Sequence, residues 1–226
     1  MDDLLDTDRS AMSKDGSAPE GVQRLLELTY AAMRLKDEPR AGWVMHGIQE
    51  PESVAAHSWG TAYLCLLFAT EAGVDPQRAV AMAVVHDIAE AKTGDFAARA
   101  ATEDRAVTEA EKAELERAAV LELLPGAAAV LGGAAGPDSP AALWRAYEDR
   151  ADAEAVFVRD MNLIDMCLQA LRYEREARYD ADVLIASRDS HRHLDEFFLS
   201  AEWRLSTPLA KRLFASIEAQ YRLARG

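Results

Sequence analysis

Two histidines inside apolar segments are the residues of this chain with the clearest capacity for chemistry. His57 lies in ESVAAHSWG, and His86 lies in AMAVVHDIAEAKTGDF, where Asp87 follows at once and Glu90 comes one helical turn later. Polar groups buried at the end of an apolar helix cost free energy unless they are satisfied, and a metal ion satisfies them. Neutral imidazole and carboxylate are good ligands for Mn, Fe, Co, Ni or Zn. A His-Asp pair alone can equally cap a core by hydrogen bonding, so further ligands must decide.

The spacing of the two histidines favours one shared site. The chain between His57 and His86 is long enough for two antiparallel helices joined by a short turn, which brings the imidazoles together. The apolar helix predicted over 154–172 offers a third element. Three of its polar residues fall near one face: Asn162, Asp165 and Gln169. Asp160 lies on a different side of that helix and is expected to face solvent or to pair with Arg159.

Four sequence blocks resemble the HD phosphohydrolase superfamily and, within it, the HD-domain 5′-deoxynucleotidases. The blocks are PRAGWVMHGIQEPESVAAHSW (39–59), MAVVHDIAEAKTGDF (82–96), the acidic helix ending in LELLPG (121–126) and EAVFVRDMNLIDMCLQALRYE (154–174). The His-Asp dipeptide is a weak motif, but the first two blocks together are specific. The resemblance covers roughly residues 20–220. It implies a helical bundle with a divalent transition metal at its centre, built from inward side chains on facing helices.

The resemblance also implies roles for individual residues. His57, His86 and Asp87 match three of the four metal ligands, and Asp87 takes part in catalysis through the metal. Glu90 matches the acidic residue that assists the attacking water; a salt bridge on the helix surface is its alternative. The fourth ligand of the family is an aspartate, whereas this chain has Asn162 at that position.

Further positions match the substrate side of the family's site. Trp43 and Asp95 match residues around the sugar that favour 2′-deoxyribose, and Arg40 is a candidate phosphate contact. Trp43 can instead be a core residue, and Asp95 can cap a turn. Lys92 lies near in sequence and can add positive charge beside a phosphate, or it can be a solvated surface residue.

Asn162 leaves three interpretations open. Its amide oxygen is neutral but can ligate a metal, in which case the enzyme works, with its metal preference altered. Asp165, which lies about 60° around the helix, can substitute for it. Alternatively, the asparagine inactivates the site and leaves a protein that binds nucleotide without turnover.

The activity implied by the resemblance is metal-dependent hydrolysis of (deoxy)nucleoside 5′-monophosphates to nucleoside and phosphate, by a homodimer. One alternative is an HD-fold hydrolase of a nucleoside di- or triphosphate or of a specialised nucleotide. Another is a catalytically weak nucleotide- or metal-binding protein, because of Asn162. A purely structural helical protein is the last alternative, and it requires His57 and His86 to lie apart.

The elements that must position these residues are helices, since alanine is abundant and no segment alternates with a period of two. The sequence predicts about eight of them. Predicted helices cover 20–35, 54–73, 75–93, 103–124, 141–176 with a break near 150–152, 181–198 and 207–225. A capping box at Thr108 and Glu111 marks one start, and 132–140 is expected to be a loop.

Composition and charge narrow the function classes. The chain has 226 residues, 50% of them hydrophobic, which suits one domain over 20–226, and its acidic segment 1–19 is expected to be a disordered tail. The net charge of −14 argues against a nucleic-acid polymer as partner. Two cysteines in apolar segments, no spanning segment and an acidic N-terminus favour a cytoplasmic protein that binds no membrane.

Overall fold

The fold is described from a computed structural model for residues 20–96, 108–124, 136–181 and 193–226. Within these ranges the chain forms ten α-helices and no β-strand, which confirms the predicted all-α class. The helices are α1 (Glu20–Ala32), α2 (Ala41–Met45), α3 (Val54–Ala72), α4 (Pro76–Val85), α5 (Glu90–Thr93), α6 (Glu109–Leu123), α7 (Pro140–Asp149), α8 (Ala153–Arg175), α9 (Asp195–Glu202) and α10 (Pro208–Arg225). A 3₁₀ helix, Met33–Lys36, follows α1.

Side-chain caps set several helix starts, because the first backbone N–H groups of a helix lack partners within it. Ser53 accepts from the amide of Ala56 and so begins α3, although the sequence offered only part of a start motif there. Asp75 accepts from the amide of Gln77, with Pro76 in the first turn of α4. The predicted capping box at Thr108 is present at the start of α6.

The helix predicted over 75–93 is interrupted at His86. It divides into α4 and α5, with turns over 86–89. The side chain of His86 explains the break: its Nδ1 lies 2.7 Å from the carbonyl oxygen of Ala83, the acceptor that a continuing α-helix would offer to the amide of Asp87. Hydrogen bonds that span three residues instead of four follow, such as the amide of Ile88 donating to the carbonyl of Val85 at 3.1 Å. The break therefore follows from the hydrogen bond that the His86 side chain makes to its own helix.

Other boundaries differ from the prediction or lie outside the described residues. Helix α6 begins at Glu109, and the described part of the 181–198 segment becomes helical only at Asp195 and continues to Glu202. The break near 150–152 is confirmed, because Arg150 to Asp152 separate α7 from α8. The predicted tail 1–19 and residues 132–135 of the predicted loop 132–140 lie outside the described residues, and 136–139 form a turn before α7.

Helix α8 is the central element of the bundle and packs against α3, α4 and α10. Its buried residues include Phe157, Met161 and Ile164. Asp160 is also buried, contrary to the expectation that it faces solvent or pairs with Arg159. It accepts hydrogen bonds from the amides of Ser206 and Thr207, at 2.9 and 2.7 Å, and thus fastens the start of α10 to α8.

None of the described helices combines the length and the hydropathy that crossing a bilayer needs.

Candidate metal centre

His57 is held by a carboxylate on the central helix. It lies on α3, fully buried, and its Nδ1 is 2.7 Å from Oδ2 of Asp165 on α8. Burial lowers the pKa of His57 to about 3, and the nearby charge of Arg40 adds to this shift, so the ring is neutral at pH 7. Burial raises the pKa of Asp165 to about 7. When Asp165 is ionised it can only accept, and the hydrogen of His57 then lies on Nδ1 and the lone pair on Nε2.

His86 presents its other ring nitrogen in the same way. Its Nδ1 must donate to the carbonyl of Ala83, since a carbonyl only accepts, and in the neutral ring this leaves a lone pair on Nε2. The centroids of the His57 and His86 rings are 5.3 Å apart. Both Nε2 atoms are buried and have no hydrogen-bond partner among the described residues.

Asp87 completes a group of three potential ligands. Its Oδ2 lies 3.1 Å from Nε2 of His86 and 3.7 Å from Nε2 of His57. Burial by itself raises the pKa of Asp87, but its interactions with His86 and with the charge of Arg40 outweigh that effect, and the net shift keeps the carboxylate ionised. Two lone pairs facing a carboxylate repel one another unless a cation lies among them. The donor set therefore fits a divalent metal ion, and the three ligand atoms lie within 4.8 Å of one another.

Arg40 and Asp95 border this group on one side. Nη1 of Arg40 lies 3.1 Å from Oδ2 of Asp87, and its Nε lies 3.8 Å from Oδ2 of Asp95. Burial lowers the pKa of Arg40, but the charges of Asp95 and Asp87 raise it by a larger amount. The guanidinium therefore stays charged. The same Asp95 oxygen accepts the amide of Ala41 at 2.8 Å. It therefore caps the start of α2 and holds Arg40 in place.

Glu90 is a buried acid next to the three ligands. It begins α5, is 6% exposed, and its Oε2 has no hydrogen-bond partner among the described residues. Burial raises its pKa well above the ordinary value, and the negative charges of Asp87 and Asp95 add to the shift. Glu90 thus holds its proton more tightly than a solvated glutamate and can release it when positive charge arrives.

Two of the expected substrate residues lie elsewhere. Trp43 is 2% exposed and belongs to the core, where its indole N–H donates to Oε1 of Glu52 at 2.8 Å. Its ring also packs on Phe197, with a centroid distance of 4.1 Å. Lys92 is exposed and forms an ion pair with Glu122 on α6. The structure gives these two residues the alternative roles that their sequence context left open.

Asn162 is linked to His86 through the side chain of Tyr147. Its Nδ2 donates to the hydroxyl of Tyr147 at 2.8 Å, and the Tyr147 ring contacts the His86 ring at a centroid distance of 5.1 Å. Burial raises the pKa of Tyr147, as does the charge of Asp87, so the phenol remains neutral. With Nδ2 engaged by Tyr147, the amide presents Oδ1 as its remaining ligating atom.

Asp165 and Tyr147 were not identified as a pair of supporting residues from the sequence. Asp165 contacts the nitrogen of His57 that does not face Asp87, so it orients the ring and does not join the three ligand atoms. The sequence contained one indication that Asp165 supports the site, namely its position one turn from Asn162 on the same helix face. Tyr147 comes from α7, and no sequence pattern connects it with His86.

The fold and this geometry agree with what the chain is similar to. An HD domain family model matches residues 32–201. The 5′-deoxynucleotidase HDDC2 of Dictyostelium discoideum is 32% identical over 205 residues, which are 88% of this chain and 98% of that protein. The bovine 5′-deoxynucleotidase HDDC2 is 31% identical over 200 residues, covering 88% and 87%.

Solved structures show the same likeness. The PH0347 protein of Pyrococcus horikoshii is 29% identical with a TM-score of 0.64, and the match covers 88% of this chain and 99% of that one. A predicted metal-dependent phosphohydrolase of Magnetospirillum magnetotacticum is 26% identical with a TM-score of 0.58, covering 90% and 92%. The family match spans three quarters of the chain and includes both histidine segments and the α8 segment with Asn162. The chain belongs to the HD domain family.

Proposed function

We propose that this protein is a metal-dependent phosphomonoesterase that hydrolyses (deoxy)nucleoside 5′-monophosphates to nucleoside and phosphate. The observation that carries this proposal is the pair of buried Nε2 atoms of His57 and His86, which face the ionised carboxylate of Asp87 without a hydrogen-bond partner among the described residues. The names of the relatives, 5′-deoxynucleotidases, supply the substrate class.

The metal would be held by Nε2 of His57, Nε2 of His86 and Oδ2 of Asp87, with Oδ1 of Asn162 as the fourth ligand. Mixed nitrogen and oxygen donors suit Mn, Co, Fe, Ni or Zn. When bound, such an ion lowers the pKa of a water molecule and polarises a phosphoryl oxygen. Asp165 fixes the tautomer of His57, and the Ala83 carbonyl fixes that of His86, so both rings are oriented before the ion arrives.

Arg40 would bind the phosphate group of the substrate. Its guanidinium is mostly buried and already faces the site, beside Asp87 and Asp95. A planar guanidinium offers two parallel N–H donors to phosphate oxygens, which both binds and orients the group.

Glu90 would take part in the proton transfer that the reaction requires. The 5′-oxygen of a nucleoside is a poor leaving group, so its departure needs protonation. Glu90 is buried, lacks a described partner at Oε2 and holds its proton more tightly than a solvated glutamate. It can orient the attacking water or pass a proton toward the leaving oxygen.

Asp95 would contribute to sugar recognition through the carboxylate oxygen that does not bind Ala41, by accepting from a sugar hydroxyl. Trp43 and Lys92 do not enter the proposal as direct substrate contacts. The first is buried against Phe197, and the second pairs with Glu122.

Phosphate release from a panel of deoxy- and ribonucleoside 5′-monophosphates tests the proposal. The panel is run with Mn²⁺, Co²⁺, Mg²⁺ or EDTA on protein of known metal content. We expect metal-dependent release that favours the deoxy substrates and disappears in His86→Gln. Release that persists in EDTA and in His86→Gln would refute it.

A second candidate, a nucleotide-binding protein with little turnover, is favoured by one observation. Asn162 stands where the resemblance implies an aspartate, and its amide Nδ2 donates to Tyr147. Absence of release with every metal, from folded protein that still binds nucleotide, would establish this second candidate. Nucleoside di- and triphosphates belong in the same panel, since preference for them would identify the alternative substrate class.

We also propose that the protein is a homodimer, in agreement with the family resemblance. Four large side chains follow one exposed stripe of α3: Trp59, Tyr63, Leu66 and Leu67. Trp59 is 69% exposed and stacks on Tyr63. An apolar stripe of this kind marks an interaction surface. Light scattering should give twice the chain mass, and Trp59→Glu should give the monomer. The cytoplasmic location stays a prediction.

A further inference from the structure

A cavity of about 40 Å³ adjoins the proposed metal centre, with which it shares Asn162 and Tyr147. It is formed by the end of α7, the first half of α8 and the segment that precedes α10. Besides two apolar side chains, the lining residues are Tyr147, Arg150, Arg159, Asn162, Arg204 and Ser206. Of these, only Asn162 is proposed above as a metal ligand, and neither Arg40 nor Glu90 lines the cavity.

Three arginines in one cavity are unusual in a chain with 25 basic and 39 acidic side chains. Other arginines find carboxylates: Arg178 pairs with Glu50, and Arg225 pairs with Asp195. By contrast, Arg150, Arg159 and Arg204 form no ion pair with any carboxylate of the part of the chain that the structure describes.

The contacts of Arg159 and Arg204 show how these charges are placed. The Arg159 guanidinium lies over the Tyr147 ring, 5.0 Å from its centroid, and its Nη1 reaches the Tyr147 carbonyl at 3.5 Å. Glu148 attracts Arg159 only from a longer distance. Arg204 is half-buried, and its burial lowers its pKa, as do the like charges of Arg159 and Arg150. The three positive charges therefore raise one another's energy until an anion joins them.

The backbone of Arg150 gives a further indication. It ends α7 in the left-handed conformation, with φ of 51°. Glycine is the usual residue at such a helix end, because a side chain is strained there. Here the position carries an arginine that lines the cavity, so the chain accepts backbone strain at a residue whose side chain supplies positive charge.

We propose that this cavity is an anion site that binds the phosphate group of a small molecule, separate from the metal centre. Guanidinium forks match phosphate oxygens in geometry and charge, and the hydroxyl of Ser206 offers one more donor. The phosphate group can be inorganic phosphate or part of a nucleotide. Tyr147 links the two sites, since it contacts His86, Asn162 and Arg159, so an anion in the cavity lies next to the ligand sphere.

Calorimetric titration of the full chain with sodium phosphate tests this site. EDTA is present throughout, so that a metal cannot supply the binding. We expect one phosphate per chain, with affinity that falls as salt rises. Arg150→Gln and Arg204→Gln should each weaken binding about tenfold or more, the effect of losing one charge-assisted contact. Arg145→Gln is the matched control, because Arg145 is exposed on α7 and does not line the cavity.

Arg150→Gly separates lost binding from lost folding. Glycine relieves the left-handed strain, so this variant should be at least as stable as the wild type while binding phosphate more weakly. Arg40→Gln removes the phosphate contact proposed for the metal centre and should bind phosphate like the wild type under these conditions. Undetectable phosphate binding, binding that the Arg150 and Arg204 variants retain, or binding that only Arg40→Gln loses would overturn the proposal. The first of these results would leave the proposed hydrolase untouched, because that activity is measured with metal.

Two further titrations identify the source of the phosphate group. Deoxyadenosine alone should not bind, whereas deoxyadenosine monophosphate should compete with inorganic phosphate under the same EDTA conditions. Tighter binding of the monophosphate would identify a nucleotide as the ligand, and equal binding would identify phosphate itself. Equal binding of the unphosphorylated nucleoside would contradict recognition through the phosphate group.

Discussion

A single methyl group added at Gly60 should test how the fold positions the metal centre. Gly60 lies on α3, one turn after His57, and faces α8. A Cβ atom at this position would lie 2.0 Å from Oδ1 and 2.8 Å from Cγ of Asp165. Asp165 has little freedom to move, because it is mostly buried and its Oδ2 holds Nδ1 of His57 at 2.7 Å. Gly60→Ala therefore forces Asp165 away from His57.

The expected change in the free energy of unfolding of Gly60→Ala follows from three effects. Overpacking a core costs about 1–3 kcal/mol. Loss of a hydrogen bond to a charged group costs about 1.5–3 kcal/mol. Alanine in place of glycine within a helix returns about 1 kcal/mol. We expect Gly60→Ala to lower the free energy of unfolding by about 3 kcal/mol, and to weaken metal binding about tenfold or more because His57 loses its orienting partner.

The assay is urea unfolding by circular dichroism, in EDTA, for a double-mutant cycle with Asp165→Ala. Removing the Asp165 carboxylate removes the clash, so in that background Gly60→Ala should be neutral or stabilising by up to about 1 kcal/mol. Equal destabilisation in both backgrounds would show that the contact between Gly60 and Asp165 is not the cause. Metal affinity, measured by calorimetry with Mn²⁺, gives a second readout, and unchanged affinity in Gly60→Ala would refute the positioning role of Asp165.

Three further predictions concern the charges and hydrogen bonds around the site. Asn162→Asp should raise the affinity for Mn²⁺ about tenfold or more, because a second carboxylate enters the ligand set, and it should raise turnover; unchanged metal affinity would show that residue 162 is not a ligand. Arg40→Gln should lower kcat/KM about tenfold to a hundredfold, as expected for loss of a charged phosphate contact worth about 1.5–3 kcal/mol, and steady-state kinetics that show no change would remove Arg40 from the site. Trp43→Phe should lower the free energy of unfolding by about 1–3 kcal/mol, because the carboxylate of Glu52 loses its indole donor, and it should leave the relative rates with deoxy- and ribonucleotides unchanged; a shift in that ratio would restore Trp43 as a sugar contact.

The helical class and most helix positions could be predicted from the sequence, because capping residues and apolar spacing are local properties. Ser53, Asp75 and the Thr108 capping box all act within their own first turn. The interruption after α4 could not be predicted in this way. It depends on the direction of the His86 ring, whose Nδ1 donates to the carbonyl of Ala83 and which packs against the rings of His57 and Tyr147 from other helices.

Asp160 shows the limit of a helical wheel. The wheel placed it away from Asn162 and therefore toward solvent, but it describes angles within one helix and not which neighbours pack there. The start of α10 occupies that side, and its amides need an acceptor. Trp43 is a similar case, because Phe197 from α9 and Glu52 from the loop between α2 and α3 enclose it.

By itself, the sequence predicted that the chain is helical and pointed to His57, His86 and Asp87 as candidate metal ligands, through their apolar surroundings and the resemblance of those blocks to the HD family. Only the tertiary structure decided which ring nitrogens face the site. That choice rests on Asp165 and the Ala83 carbonyl, which engage Nδ1 in each ring and leave Nε2 for a ligand. For His57 the partner comes from a separate helix, which no local pattern encodes. For His86 the partner is a carbonyl three residues earlier, and only the folded structure shows that the ring takes this bond in place of a continued helix.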